Sequence, residues 1–135
     1  MIKRTLMIAL VALAASQSVT VSAQTAAAAD APDLKRGKLL YIQCRACHEL
    51  KADQPHKVGP NLAGLLGSKG ASAEDFTYSS ALKAANLTWD LKTLDRWLEK
   101  PSAVVPGNAM AFAGIANPKD RASLLAYIVS ETTAK

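Results

Sequence analysis

Both cysteines of the chain fall within one pentapeptide, Cys44-Arg45-Ala46-Cys47-His48. On a closing helical turn, thiols three positions apart face the same side, and the imidazole follows at once. Whatever the chain folds into must bring two thiols and an imidazole to one point. Two cysteines cannot build a disulfide-dense scaffold. At 135 residues one domain is expected. Hydrophobic residues at 50% and charged residues at 20% exclude a disordered chain of low hydropathy. Aromatics make up only 5%, so the core must be aliphatic or take bulk from outside the chain. No Ser/His/Asp constellation or carboxylate pair marks an enzyme.

The N-terminus reads as a targeting segment. Lys3 and Arg4 precede an uncharged apolar run from Leu6 to Ala15, and Val21-Ser22-Ala23 has the small residues of a cleavage site. The run is too short for a spanning helix, which needs about 20 apolar residues. Residues 1–23 are therefore expected to be a signal peptide cut after Ala23, residues 24–32 a flexible lead, and 33–135 the domain. Cleavage removes two of sixteen bases and none of eleven acids, so fourteen minus eleven leaves +3 from the formal +5. That surplus, with no basic stripe interleaved with aromatics, gives no sign of nucleic-acid binding. Export predicts a periplasmic location, where free thiols tend to oxidise and two cysteines need a chemical fate.

The rest of the chain predicts helices joined by long loops, with no strands. Pro32-Asp33 opens a first helix to about Ala46, with Leu34, Gly37, Leu40, Tyr41 and Cys44 on one face. Residues 49–71, rich in Gly and Pro, form a loop, and a short helix covers Ser79 to Ala85, ended by Asn86. Thr88 is expected to cap a helix from Trp89 to Lys100, stopped by Pro101, with Leu91, Leu94, Trp97 and Leu98 facing inward. A second loop runs to Ala116, and Asn117-Pro118 opens a terminal helix to about Thr132. These loops are long for a compact helical domain. A large apolar ligand would account for them and for the missing aromatic bulk.

The pentapeptide is the attachment signature of c-type haem. Two thiols at this spacing reach two vinyl groups of one porphyrin, and His48 then offers a nitrogen to the iron. Thioether formation also settles the fate of both thiols. Two rivals are weaker. A redox-active dithiol normally follows a strand in a βαβ unit, which the pattern lacks. Zinc wants four ligands, with His56 the one remaining candidate. After signal cleavage Met110 is the sole methionine, in the loop Pro106-Gly107-Asn108-Ala109-Met110. A lone Met is often core filler. As a soft thioether it would raise the reduction potential and fill the sixth position, suiting the iron to electron exchange without substrate binding.

From Gly37 to Tyr127 the chain resembles the class I c-type cytochromes, close in pattern to mitochondrial cytochrome c and its short bacterial relatives. The motifs are Gly37-Lys-Leu-Leu-Tyr41, Cys44-Arg-Ala-Cys-His48, Val58-Gly-Pro-Asn-Leu-Ala-Gly64, Phe76-Thr-Tyr78, Leu87-Thr-Trp89, Pro106-Gly-Asn-Ala-Met110 and Leu124-Leu-Ala-Tyr127. The resemblance implies an all-α cytochrome c fold of helices and long loops wrapped around one covalent haem c. It assigns the thioethers to Cys44 and Cys47 and the axial ligands to His48 and Met110. It gives the Pro60 carbonyl the Nδ1–H of His48, and makes Tyr78 and Trp89 donors to a haem propionate. It has Gly37 and Tyr41 meet Leu124 and Tyr127 where the terminal helices cross. It makes His56 a latch between loops through a backbone hydrogen bond. Three positions depart from the mitochondrial pattern: Trp97 stands for a tyrosine near the Met sulfur, Asn108 for a threonine, and Ser68 for an arginine near the propionate.

The implied function is one-electron transfer between larger redox proteins by a monomeric carrier that is not an enzyme and has no membrane anchor. Two alternatives are a haem subunit of a fixed complex and a haem enzyme or gas sensor with an open sixth site. In the family a lysine ring steers the carrier to acidic partners. Here Ser102, Ala103, Ala109, Ala116 and Asn117 are neutral at matching positions, leaving Lys38, Arg45, Lys57, Lys69 and Lys83. A weaker, more apolar docking face of Ala103, Val104, Ala109 and Ala111 is expected.

Overall fold

The computed structural model describes residues 31–133. The expected signal peptide and most of the lead lie outside the described residues. Among the described residues five helices follow in order: α1 (Leu34–Arg45), α2 (Ser80–Ala84), α3 (Leu91–Glu99), α4 (Pro101–Val104) and α5 (Pro118–Thr133). No strand forms among the described residues. A single antiparallel bridge, Lys69 with Thr88, ties the long loop to the segment before α3.

Asp33 caps α1 by accepting from the amides of Lys35 and Arg36 at 2.8 and 3.2 Å. Asn117 does the same for α5, accepting from Lys119 N at 2.9 Å, with Pro118 in the first turn. These two helices form the most extensive helix–helix contact. Gly37 sits at the crossing: a methyl there would collide with the Ser123 carbonyl and lie 2.7 Å from Tyr127 Cβ. Ser123 Oγ also accepts from Asp33 N at 3.0 Å, and Arg36 grips Asp120 through two hydrogen bonds of 2.9 and 2.7 Å. Beside the crossing the Tyr41 and Tyr127 rings are tilted at 52° with centroids 5.7 Å apart. Gly37 and Tyr41 thus meet Tyr127 as expected, and Leu124 is fully buried in the same core cluster as Tyr41.

The second part of the core is α3, whose Leu94, Trp97 and Leu98 are buried at i, i+3 and i+4 against α5 and α4. Three expectations need correction here. The cap is Asp90, not Thr88: its carboxylate accepts from Thr93 N at 2.6 Å, so the helix starts at Leu91. Thr88 is held by the bridge to Lys69, which keeps Trp89 extended and buried. Pro101 is not only a stop, since it opens α4 as an N1 proline where its missing amide costs nothing. Leu34 and Leu91, each the first residue of its helix, are 50% and 55% exposed rather than turned inward.

Arg121 of α5 is buried, and sequence reading gave it no role. Its guanidinium meets Asp95 of α3 at 2.8 Å and donates to the carbonyls of Ile115 and Ala116 at 3.0 and 2.9 Å. It thereby pins the end of the loop that carries Met110 to two helices.

Gly37→Ala tests the crossing. Alanine gains about 1 kcal/mol of helix propensity, but overpacking against a backbone carbonyl typically costs about 1–3 kcal/mol. The collision is with backbone, so the clash prevails. Urea unfolding of the holoprotein should give a lower midpoint for the variant; an equal or higher midpoint would mean the helices part without cost.

Candidate functional site

The C-terminal end of α1 delivers Cys44, and the turn that closes it brings the amides of Cys47 and His48 onto the Cys44 carbonyl at 3.0 and 2.9 Å. His48 is 9% exposed. Its Nδ1 lies 2.7 Å from the Pro60 carbonyl. A carbonyl only accepts, so Nδ1 carries the proton and Nε2 keeps its lone pair. Burial lowers the affinity of the ring for a second proton, and the Pro60 hydrogen bond offsets this only in part. His48 is therefore a neutral nitrogen donor of fixed tautomer. Its own carbonyl accepts from the buried Tyr41 hydroxyl at 2.8 Å.

Gly59 lies flat against this ring. A Cβ there would meet the imidazole directly, at 2.8 Å from Nδ1 and Nε2. Only glycine lets the backbone pass so close. Gly59 N donates to the Cys47 carbonyl at 2.9 Å, which closes the loop onto the pentapeptide. The sequence showed Gly59 inside the Val58–Gly64 motif without revealing this contact.

Cys44, Cys47, His48, Pro60, Tyr78, Trp89, Trp97 and Met110 all line one cavity of about 570 Å³. All eight expected site residues are thus brought together. Leu62, Leu65, Leu82, Leu94, Leu98, Phe112 and Ile128 supply most of its apolar wall. Burial, reinforced by Cys47, pushes the Cys44 thiol up to about 11. Burial also raises the pKa of the half-buried Tyr78 phenol. Trp89 and Trp97 pack edge to face at 5.2 Å, and Phe76 and Tyr78 do so at 4.8 Å.

These residues fit a haem. The apolar wall suits a macrocycle and the paired thiols suit its vinyl groups. The glycine cradle holds a neutral imidazole in place. Trp89 and Trp97 are each only 7% exposed and both line the cavity, so their indoles form part of its wall. The rival readings find no support. The fold has no βαβ unit, and no cluster of three or more His, Cys, Asp or Glu side chains able to hold a metal ion forms among the described residues.

His56 is a latch of a different kind from the one expected. Both partners lie with it in the single stretch between α1 and α2: the side chain reaches the Asp75 carboxylate at 2.9 Å, and the backbone bond, from Asn61 N to His56 Nδ1 at 2.7 Å, spans five residues. Because the Asn61 amide must donate, Nε2 carries the proton and Asp75 accepts it. Asn61 is a hub that sequence reading missed: its side chain also donates to the carbonyls of Lys51 and Gln54 at 2.7 and 2.8 Å. The sequence showed Asn61 inside the Val58–Gly64 motif without revealing these contacts.

The comparisons agree with this geometry. The family model described as Cytochrome c matches residues 34–132. Cytochrome c2 of Rhodomicrobium vannielii is 42% identical over 107 residues, covering 79% of this chain and 86% of that protein. Cytochrome c-554 of Methylosinus trichosporium is 37% identical over 121 residues, covering 90% of each. The solved structure of cytochrome cH from Methylobacterium extorquens superposes with a TM-score of 0.68 at 37% identity, covering 73% of this chain and 98% of that one. The chain belongs to the cytochrome c family. It is a class I c-type cytochrome with one covalently bound haem c, and it works as a single-haem electron carrier.

The His56–Asp75 latch has a pH signature. The hydrogen bond from His56 holds the Asp75 carboxyl below its ordinary value of 3.8. Its contribution to stability is present above that ordinary value and is lost as pH falls through the depressed one. The stability advantage of the native protein over Asp75→Asn should therefore shrink as acid is added below the usual carboxylate range. Thermal unfolding of both at stepped pH measures this, and curves that stay parallel would deny the latch.

Proposed function

We propose that the protein is an exported, monomeric electron carrier in which Cys44 and Cys47 hold the haem through thioethers and His48 and Met110 supply both axial ligands. The observation that carries this reading is the state of His48. Its Nδ1–H is committed to Pro60, its Nε2 lone pair is free, and its ring lines the same cavity as the two thiols and the Met110 thioether. When bound, the haem supplies a one-electron iron couple. The protein positions, dries and insulates that couple.

Each residue has a physical task in this reading. Pro60 fixes the tautomer of His48 and strengthens it as a donor. The soft Met110 sulfur favours the reduced iron. The indole of Trp89, with the Tyr78 hydroxyl, donates to a propionate, whose charge is costly to bury unpaired. Trp97 brings a donor-only indole to the cavity. With both axial positions filled, the iron offers no place for a substrate, which makes the protein a carrier rather than an enzyme. Lys3, Arg4 and the apolar run that follows support export to the periplasm with cleavage after Ala23. Among the described residues no helix is long and apolar enough to cross a membrane.

Absorption spectra of the holoprotein test the ligand set. Low-spin c-type bands are expected on reduction, together with the weak near-infrared band of Met-to-iron ligation in the oxidised protein. Covalent haem that is high-spin and lacks this band would replace the carrier with an enzyme or sensor having an open sixth site.

The partner is a redox protein with an uncharged, largely apolar docking patch. Of the cavity-lining residues that are also exposed, which include Gln43, Val58, Ala109 and Ala111, Lys69 is the one that bears charge. Val58 is 82% exposed. Its neighbour Lys57 pairs with Glu49 and donates to the Arg45 carbonyl at 2.9 Å, so its charge is answered within the chain. Ala103 and Val104 of α4 extend the neutral face. The association rate constant with a redox partner should fall less than about threefold between low and physiological ionic strength. A steep fall would show that lysine steering persists.

A further inference from the structure

The Met110 loop has an internal brace built on Asn108. After α4 the chain is anchored at Val105, which is 3% exposed. It turns at Gly107 with φ +81° and reaches Met110 three residues later. Asn108 spans this turn with one side chain. Its Nδ2 donates to the Val105 carbonyl at 2.8 Å, and its Oδ1 accepts from the Met110 amide at 3.0 Å. Its own amide reaches the same Val105 carbonyl at 3.2 Å. The amide orientation is unambiguous, because a flipped group would set donor against donor and acceptor against acceptor.

Nothing else along this stretch can do the work. Ala109 and Ala111 carry methyl groups only. Among the described residues no other side chain hydrogen-bonds the backbone between Val105 and Phe112. The methionine side chain has three rotatable bonds, so a fixed sulfur position needs a fixed backbone beneath it. Both polar atoms of Asn108 are engaged by that backbone, although the residue lines the cavity.

We propose that Asn108 is a positioning residue that presents the Met110 sulfur to the haem iron by bracing the loop on both sides of its turn. This rests on the reading of Met110 as an axial ligand. A braced loop holds its sulfur against competitors. A loosened loop yields the position to an outside ligand more readily, since the competitor no longer has to break the two brace bonds as well.

The test is a titration of the oxidised holoprotein with imidazole, followed by the loss of the near-infrared Met-to-iron band. Native protein, Asn108→Ala, Asn108→Thr and Met110→Ala are compared, with helical circular dichroism to confirm folding. The band should be present in native protein and absent in Met110→Ala. Imidazole affinity should rise about tenfold in Asn108→Ala, as expected for two lost hydrogen bonds. It should rise about threefold in Asn108→Thr, whose hydroxyl can still accept from the Met110 amide but lacks the Nδ2 donor. If Asn108→Ala does not fold, Asn108→Thr against native protein decides the matter. Native-like affinity in the folded Asn108 variants, with the native band intact, would overturn the brace while leaving Met110 as ligand. A native protein without the band, spectrally the same as Met110→Ala, would overturn the ligand reading and the brace with it.

Discussion

The 2.7 Å hydrogen bond from the His48 ring to the Pro60 carbonyl joins the two parts of the molecule that have no regular structure in common. On one side is the turn that ends α1; on the other is the long loop from residue 49 onward. Such a loop has no helical ladder to hold it, and each of its buried amides and carbonyls needs a partner. Gly59 pressed against the imidazole, the Gly59 amide on the Cys47 carbonyl and the Asn61 side chain on two further carbonyls supply those partners around the same ring. The Tyr41 hydroxyl reaches the His48 carbonyl from inside α1, beside the helix crossing. The orientation of one imidazole is thus tied to the packing of the terminal helices.

The cavity explains why so little regular structure suffices. The helices α2 and α4, of five and four residues, are far below the length at which a helix holds itself. The buried residues Leu94, Trp97, Leu98, Leu125 and Ile128 are both core and cavity wall, so the group the cavity receives is itself part of the core. A ligand that binds only the folded chain stabilises it by mass action. Two covalent bonds make that contribution permanent. The low aromatic content follows from the same fact, since the bulk comes from the haem.

The sequence carried the site more clearly than the boundaries. The pentapeptide could be read because thioether chemistry demands two thiols and an imidazole at fixed spacing, whatever surrounds them. The helix crossing could be read because Gly37 in an apolar helical face makes sense only if another backbone approaches. Thr88 and Asp90 are both good caps two residues apart, and local preference does not choose between them. The choice was made from afar, by the bridge to Lys69 that fixes Thr88 and draws Trp89 into the wall. Arg121, Asn61 and Asn108 escaped for a related reason. Each acts by hydrogen bonds to loop carbonyls or amides whose positions exist only once the chain has folded. His56 does tie distant parts of the chain, but within one connecting stretch, and its partner is a carboxylate that no local pattern connects to it.

The ion pairs of the surface bear on function more than on stability. Solvent-screened pairs such as Arg36–Asp120, Lys51–Glu131 and Lys57–Glu49 contribute little to stability. Their larger effect is on the field outside the molecule. A base answered by an acid a few ångströms away projects a short-ranged dipole rather than a charge, and steering decays accordingly. A carrier must also leave its partner after each electron, which favours a small contact area of modest affinity. In the proposed reading, neutral residues around the cavity mouth meet that need differently from a lysine ring: they would give up speed of approach and gain a contact that depends little on salt.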